Sequence, residues 1–134
     1  MTDYLIDTNH VSVLLRRQQS NVSRRLNQLG PDDSFGIAIP ILGELYFQVY
    51  ASTRQAQNLA ELNQFLTQVE LWPYHEAEAQ EYGRIMAEQK RKGRPIPAVD
   101  AQIAAVARVG NLTVLTADKH FSFVDKLIVE NWLK

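Results

Sequence analysis

The sequence predicts an α/β fold: a three-layer α/β/α sandwich around a mainly parallel sheet of four or five strands. Short apolar runs of strand length alternate along the chain with longer segments whose apolar residues recur at helical spacing. Each pair of successive strand-like runs is separated by enough chain to hold a helix, which is what a crossover between parallel neighbours requires. A parallel sheet of this kind is covered on both faces, so its strands read as apolar runs.

Residues 3–6 (DYLI) read as the first strand. Residues 9–19 carry Val11, Leu14 and Leu15 at helical spacing, with Thr8 or Asn9 as the cap. Residues 20–29 repeat the pattern with Val22, Leu26 and Leu29, and Gly30-Pro31 stops it. Residues 35–39 (FGIAI) read as the second strand, and Pro40 opens a helix in its favoured first turn. That helix carries Ile41, Leu42, Leu45, Tyr46 and Val49.

Residues 54–68 are amphipathic, with Leu59, Leu62, Phe65 and Leu66 on one face. Residues 69–73 (VELWP) read as the third strand and 76–91 as a helix with Tyr82, Ile85 and Met86 facing in. The stretch from Lys92 to Pro97 is a breaker-rich loop. Residues 98–109 form a small-residue helix, with Gly110 at the position just past its end. Residues 112–116 (LTVLT) read as the fourth strand and 127–130 (LIVE) as an optional fifth.

The chain has 134 residues, which suits one domain spanning 1–134. Its 46% hydrophobic and 22% charged residues are ordinary for a globular protein. With no cysteine, a disulfide scaffold, a thiolate metal site and a cysteine nucleophile are excluded. No apolar run is long enough to span a membrane, and no leader pattern opens the chain; both fit a cytoplasmic protein. A formal net charge of −1 means that nucleic acid would be held by local patches or a metal.

In open parallel sheets, ligands bind outside the carboxyl ends of the strands. Asp7 follows the first strand and Asp118 the fourth. Glu44 lies about one turn into the helix that starts where the second strand ends. Asp100 lies in the first turn of the helix leading into the fourth strand. Four acids from distant parts of the chain therefore converge on one rim. Carboxylates this close repel, and a divalent cation relieves the conflict. Hard oxygen ligands without thiolates favour Mg2+, with Mn2+ as the alternative. Such a site points to phosphoryl chemistry, above all nuclease chemistry.

Each acid also has a structural reading. Asp7 can cap the following helix, Asp100 can favour a helix dipole, and Asp118 can form a turn. Glu44 is harder to assign this way, because it lies within the apolar ILGELYF.

The motifs Leu5-Ile6-Asp7-Thr8-Asn9, Ile41-Leu42-Gly43-Glu44-Leu45, Ile96-Pro97-Ala98-Val99-Asp100-Ala101-Gln102 and Leu115-Thr116-Ala117-Asp118-Lys119-His120-Phe121 occur in this order. In order and spacing, across nearly the whole chain, they resemble the PIN domain of VapBC-type toxins. The resemblance implies a magnesium-dependent endoribonuclease, a homodimer, an RNA substrate and a protein antitoxin as partner. It maps Asp7, Glu44, Asp100 and Asp118 onto the family's catalytic, metal-holding acids. It also places Thr8 and Thr116 at hydroxyl positions near the metal, where the structural reading is a cap or a turn.

Two positions depart from the pattern. Val99 stands where many members have Asn or Asp, and His120 where many have an acid. A second metal would lean on Asp118 alone or with water. Two other functions fit parts of the pattern: a PIN-fold RNA- or protein-binding module with little catalysis, and a phosphatase using Asp7 as nucleophile. The second is weakened because Asp7-Thr8-Asn9 lacks an Asp two residues on.

Around the rim, residues 84–94 (RIMAEQKRKGR) carry Arg84, Lys90, Arg91, Lys92 and Arg94 against Glu88. Lys90, Arg91, Lys92 and Arg94, with Thr8 and Asn9, are candidates for holding RNA; a solvated helix end is the alternative. Arg16, Arg17, Arg24 and Arg25 offer the same choice, with an acidic antitoxin segment as another partner. His10, His75 and His120 match no zinc spacing. His120 lies near enough to Asp118 to touch substrate, with an ordinary loop histidine as the other reading. Tyr46, Phe47, Tyr50 and Trp72 read as core or dimer surface.

Overall fold

The computed structural model describes residues 1–15 and 20–133. Arg16 and Arg17 lie outside the described residues. Five strands pair in parallel: β1 (Asp3–Ile6), β2 (Ser34–Ala38), β3 (Glu70–Trp72), β4 (Thr113–Leu115) and β5 (Ile128–Glu130). Their order across the sheet is β3-β2-β1-β4-β5. The optional fifth strand is present. Leu5 and Ile6 of β1 are both buried, as are Ile37 and Ala38 of β2 and Val114 and Leu115 of β4. Successive residues of a strand point to opposite faces, so helices cover the sheet on both sides.

The helices are α1 (Thr8–Leu15), α2 (Asn21–Asn27), α3 (Ile39–Ala51), α4 (Gln55–Leu66), α5 (Glu76–Lys92) and α6 (Ala98–Gly110), with a short 3-10 helix at Lys119–Phe123. Ile41, Leu45 and Val49 of α3, Leu62 and Phe65 of α4, and Ile85 of α5 enter the core, as their spacing predicts.

One helix end decides between the caps that the sequence offers, and another differs from the sequence reading. The cap of α1 is Asp7: its carbonyl accepts from Val11 N–H at 3.0 Å, and its Oδ1 accepts from Thr8 N–H at 2.7 Å. Thr8 and Asn9 already lie inside the helix. At the end of α6, Gly110 stays helical and Asn111 takes the left-handed turn, at φ 56°. Asn tolerates that conformation better than most side chains. Gly93, at φ 70°, closes α5 in the same way.

Two polar contacts fix the helices that frame the sheet edge. Arg108 of α6 pairs with Glu81 of α5 at 3.0 Å and with Glu88 at 3.1 Å. The guanidinium is largely buried, so α5 holds α6 by charge as well as by packing. His10 of α1 is buried, and its Nε2 accepts from Trp132 N–H at 3.1 Å. Burial pushes this imidazole down to about 4, so it is held neutral. Of the aromatic group, Tyr46 and Trp72 pack against the core, while Phe47 and Tyr50 are 72% and 58% exposed. No helix among the described residues is long and apolar enough to cross a membrane.

Candidate active site

The sheet order reverses direction at β1: the chain builds outward through β2 and β3, then returns to place β4 on the other side of β1. Such a switch point leaves a crevice between the carboxyl ends of the two strands. Asp7 N–H donates to Leu115 O at 2.9 Å, which carries the β1–β4 pairing one step past the strand ends. The next residues on both strands are therefore neighbours across the crevice.

Asp7 is only 7% exposed. Its Oδ2 accepts from Thr116 Oγ1 at 2.7 Å, and Thr116 Oγ1 accepts in turn from Asp118 N–H at 2.9 Å. One hydroxyl thus joins both strand ends. Burial raises the Asp7 carboxyl above its ordinary range, the bonds from Thr116 and Thr8 oppose this, and the nearby Asp118 adds to it. Glu44, on α3, is half-buried and lies 3.5 Å from Thr8 Oγ1, at the outer limit of a hydrogen bond. Its carboxyl is also raised, first by burial and then by Asp7.

Asp100 enters from the first turn of α6. Burial, then the charge and contact of Asp118, then the charge of Asp7 push its carboxyl up to about 7. Asp118 caps the 3-10 helix, its Oδ1 accepting from His120 N–H at 2.9 Å. All four predicted acids therefore come together. The cap and turn readings of Asp7 and Asp118 hold as well, because each carboxylate does both jobs.

The sequence places His120 near enough to Asp118 to touch substrate, with an ordinary loop histidine as the alternative, and assigns it no part in holding a metal. Its Nδ1 lies 2.9 Å from Asp118 Oδ1 and 3.4 Å from Asp100 Oδ2. Each of the three residues offers a ligand atom within 4.8 Å of the others. Asp100 Oδ2 is sealed from solvent and has no hydrogen-bond partner. Such an orphan costs energy unless something positive meets it. Raised acids and an unpaired buried oxygen fit a divalent cation, which supplies the missing charge. The signal available in the sequence was the spacing of Asp118 and His120, two residues apart on one turn.

The remaining candidates lie further out. Thr8 is half-buried beside Glu44, and Asn9 is exposed. Lys90, Arg91, Lys92 and Arg94 are all exposed. Lys92 pairs with Asp125 at 2.8 Å, and Arg94 lies over the Phe123 ring at 5.0 Å. Phe123 itself meets the His120 ring edge-on, at 5.9 Å between centroids. Arg94 is thus linked to the rim through two rings. Arg25 stacks on Trp132 at 4.4 Å.

Residues 4–127 match the PIN domain family. The chain belongs to the PIN-domain family. Among curated PIN relatives, it is 30% identical to ribonuclease VapC2 of Rickettsia felis over 132 residues, 98% of each chain. It is 29% identical to the tRNA(fMet)-specific endonuclease VapC of Shigella flexneri over 133 residues, 98% of this chain and 99% of that one. Among solved structures, VapBC2 of Rickettsia felis bound to a DNA fragment from its promoter superposes with a TM-score of 0.91 at 27% identity. That match covers 98% of this PIN domain and 99% of the other chain.

Proposed function

We propose that this PIN domain is a magnesium-dependent endoribonuclease of the VapC type, the toxin of a toxin–antitoxin pair. The observation that carries the reading is the four-acid rim at the β1–β4 switch point, where three carboxyls are raised by burial and by neighbouring carboxylates. Asp7, Glu44, Asp100 and Asp118 hold the metal, with Mn2+ able to replace Mg2+. When bound, the cation neutralises charge on a phosphodiester and acidifies the attacking water.

The chain's own groups prepare that site. Thr116 holds Asp7 in one orientation, and Asp7 in turn caps α1, so the carboxylate cannot swing away. Thr8 steadies Glu44. Lys90, Arg91, Lys92 and Arg94 lie on the exposed α5 end and the loop leading to α6, where they attract RNA phosphates. Thr8 and Asn9 contact the nucleotide at the rim.

The relatives named as ribonucleases, and the structural neighbour described as a VapBC complex, support an RNA substrate and a protein antitoxin. Exposed Phe47 and Tyr50 on α3 support a homodimer. We assign residues 1–134 to a single domain acting in the cytoplasm.

Incubating the purified protein with RNA and magnesium tests this. RNA fragments should appear with magnesium and not with EDTA, and a phosphomonoester should release no phosphate. Phosphate release from the monoester, with RNA left intact, would favour the Asp-based phosphatase instead.

A further inference from the structure

The rim is not chemically uniform. On the Asp7–Glu44 side every nearby donor is oxygen: two carboxylates and the hydroxyls of Thr8 and Thr116. On the Asp118 side a ring nitrogen joins them. His120 Nδ1 has Asp118 Oδ1 at 2.9 Å and Asp100 Oδ2 at 3.4 Å. With metal–ligand distances of about 2.1 Å, adjacent ligands of an octahedral ion lie about 3 Å apart. The nitrogen and its two oxygen neighbours are already spaced like adjacent corners of one coordination sphere.

Neither His120 Nδ1 nor Asp100 Oδ2 makes a hydrogen bond, and both atoms are closed off from solvent. An imidazole nitrogen beside two carboxylates would ordinarily donate to one of them. Here both oxygens lie within reach, yet neither contact has hydrogen-bond geometry, which leaves the nitrogen without a partner beside two carboxylates. Two contacts hold the ring there. The His120 backbone N–H is tied to Asp118 Oδ1 at 2.9 Å, and Phe123 packs edge-on against the imidazole.

Resting on the metal-dependent reading above, we propose that His120 is a nitrogen ligand. It makes the Asp100–Asp118–His120 side of the rim a mixed nitrogen–oxygen position that takes Mn2+ in preference to Mg2+. Carboxylate and water suit both ions, but Mn2+, as a transition ion, accepts an imidazole nitrogen more readily than Mg2+ does. Asp100 lies between the two sides, so the all-oxygen side keeps magnesium while the His120 side selects the softer ion. Ligation through Nδ1 needs the tautomer with its proton on Nε2, and His120 is partly exposed, so Nε2 can reach water.

The test uses the whole protein and Mn2+ or Mg2+ alone, without RNA. Pulsed electron paramagnetic resonance of bound Mn2+ should show coupling to a histidine nitrogen. His120→Ala should lose that coupling, although His10 and His75 remain. By calorimetry, Mn2+ should bind His120→Ala at least about tenfold more weakly, since losing even an outer partner of a ligand costs that much. Mg2+ binding should hardly change. His120→Asp, which makes the set all-oxygen, should bind Mg2+ at least as well as wild type and show no nitrogen coupling to Mn2+.

Nitrogen coupling that survives in His120→Ala, or equal loss of both ions, would overturn the proposal while leaving the metal site intact. If the wild-type protein bound neither ion, the metal-dependent reading itself would fall, and this inference with it. Matching far-ultraviolet circular dichroism of both variants and wild type guards against misfolding, and His120→Asn gives a second ligand-poor variant of similar size.

Discussion

Thr116 Oγ1 donates to Asp7 Oδ2 at 2.7 Å, joining two residues 109 positions apart in sequence. The same oxygen accepts from Asp118 N–H. A single buried hydroxyl therefore ties the end of β1 to the turn after β4, at the point where the sheet order reverses. Its orientation is fixed by having one acceptor and one donor to serve.

Replacing Thr116 with Val keeps the shape and removes the hydroxyl. Asp7 Oδ2 and Asp118 N–H both lose a partner in a dry setting. The variant should lose about 1–3 kcal/mol of stability in urea unfolding, and RNA cleavage should fall. Thr116→Ser should keep most of both. A Val variant as stable and as active as wild type would show that the hydroxyl is a bystander.

The acids should weaken the metal-free fold rather than support it. In EDTA at pH 8, Asp100→Asn should raise stability by on the order of 1 kcal/mol, because it removes a carboxylate whose charge is disfavoured by burial and by Asp118. Asp7→Asn should at least hold stability. Magnesium should then stabilise wild type by mass action, increasingly with concentration, and stabilise neither variant as much. A large loss of melting temperature in EDTA for Asp100→Asn would contradict the repulsion argument.

Two groups set opposite pH trends in the metal-free protein. Asp100 is raised to about 7 from 3.8, so the native state holds a proton that the unfolded chain releases. Its contribution is fully present below about pH 4 and is lost as pH rises through 7. His10 is lowered to about 4 from 6.5, so the unfolded chain takes up a proton that the native state refuses. That costs stability as pH falls from 6.5 towards 4. Between about pH 4 and 6.5 the two trends oppose each other, so urea midpoints of wild type in EDTA should change little there and decline only as pH approaches 7. Asp100→Asn removes the declining part and should leave midpoints that rise with pH over that range; a variant profile that matches wild type would mean that another group carries the decline.

Among the basic residues near the rim, Lys90 and Arg91 are exposed on the last turn of α5. If they hold phosphates, the double Ala variant should weaken RNA binding and make it less salt-sensitive. The slope of log affinity against log salt should shrink by roughly 1.4, since each phosphate that a cation neutralises on a single strand adds about 0.7. Filter binding to a catalytically silent Asp100→Asn background measures this. An unchanged slope would return both residues to the solvated helix end.

The fold was legible because its signals are local. Apolar runs such as FGIAI and helical spacing such as Ile41, Leu45 and Val49 fix the elements, and parallel pairing follows from the crossovers between them. The acids were legible because the strand-end rule turns sequence order into position. The details left open or missed depend on where the chain is held. That Asp7, among the candidates Asp7, Thr8 and Asn9, caps α1 reflects its place at the end of β1, where Thr116 and Thr8 N–H hold it. Asn111 replaces Gly110 in the left-handed turn because a single position decides where the chain leaves α6. The approach of His120 to Asp100 needs α6 and the 3-10 helix to be packed together, and no local pattern encodes that.

The most direct test of the metal-dependent nuclease is the rate of RNA cleavage by wild type, Asp7→Asn and Asp100→Asn, each shown to be folded, at saturating magnesium. The rim accounts for catalysis only if each amide lowers the rate by roughly 100-fold or more, since each removes charge that holds the cation at the scissile phosphate. Cleavage by both folded variants at the wild-type rate would contradict it and place the chemistry elsewhere on the molecule.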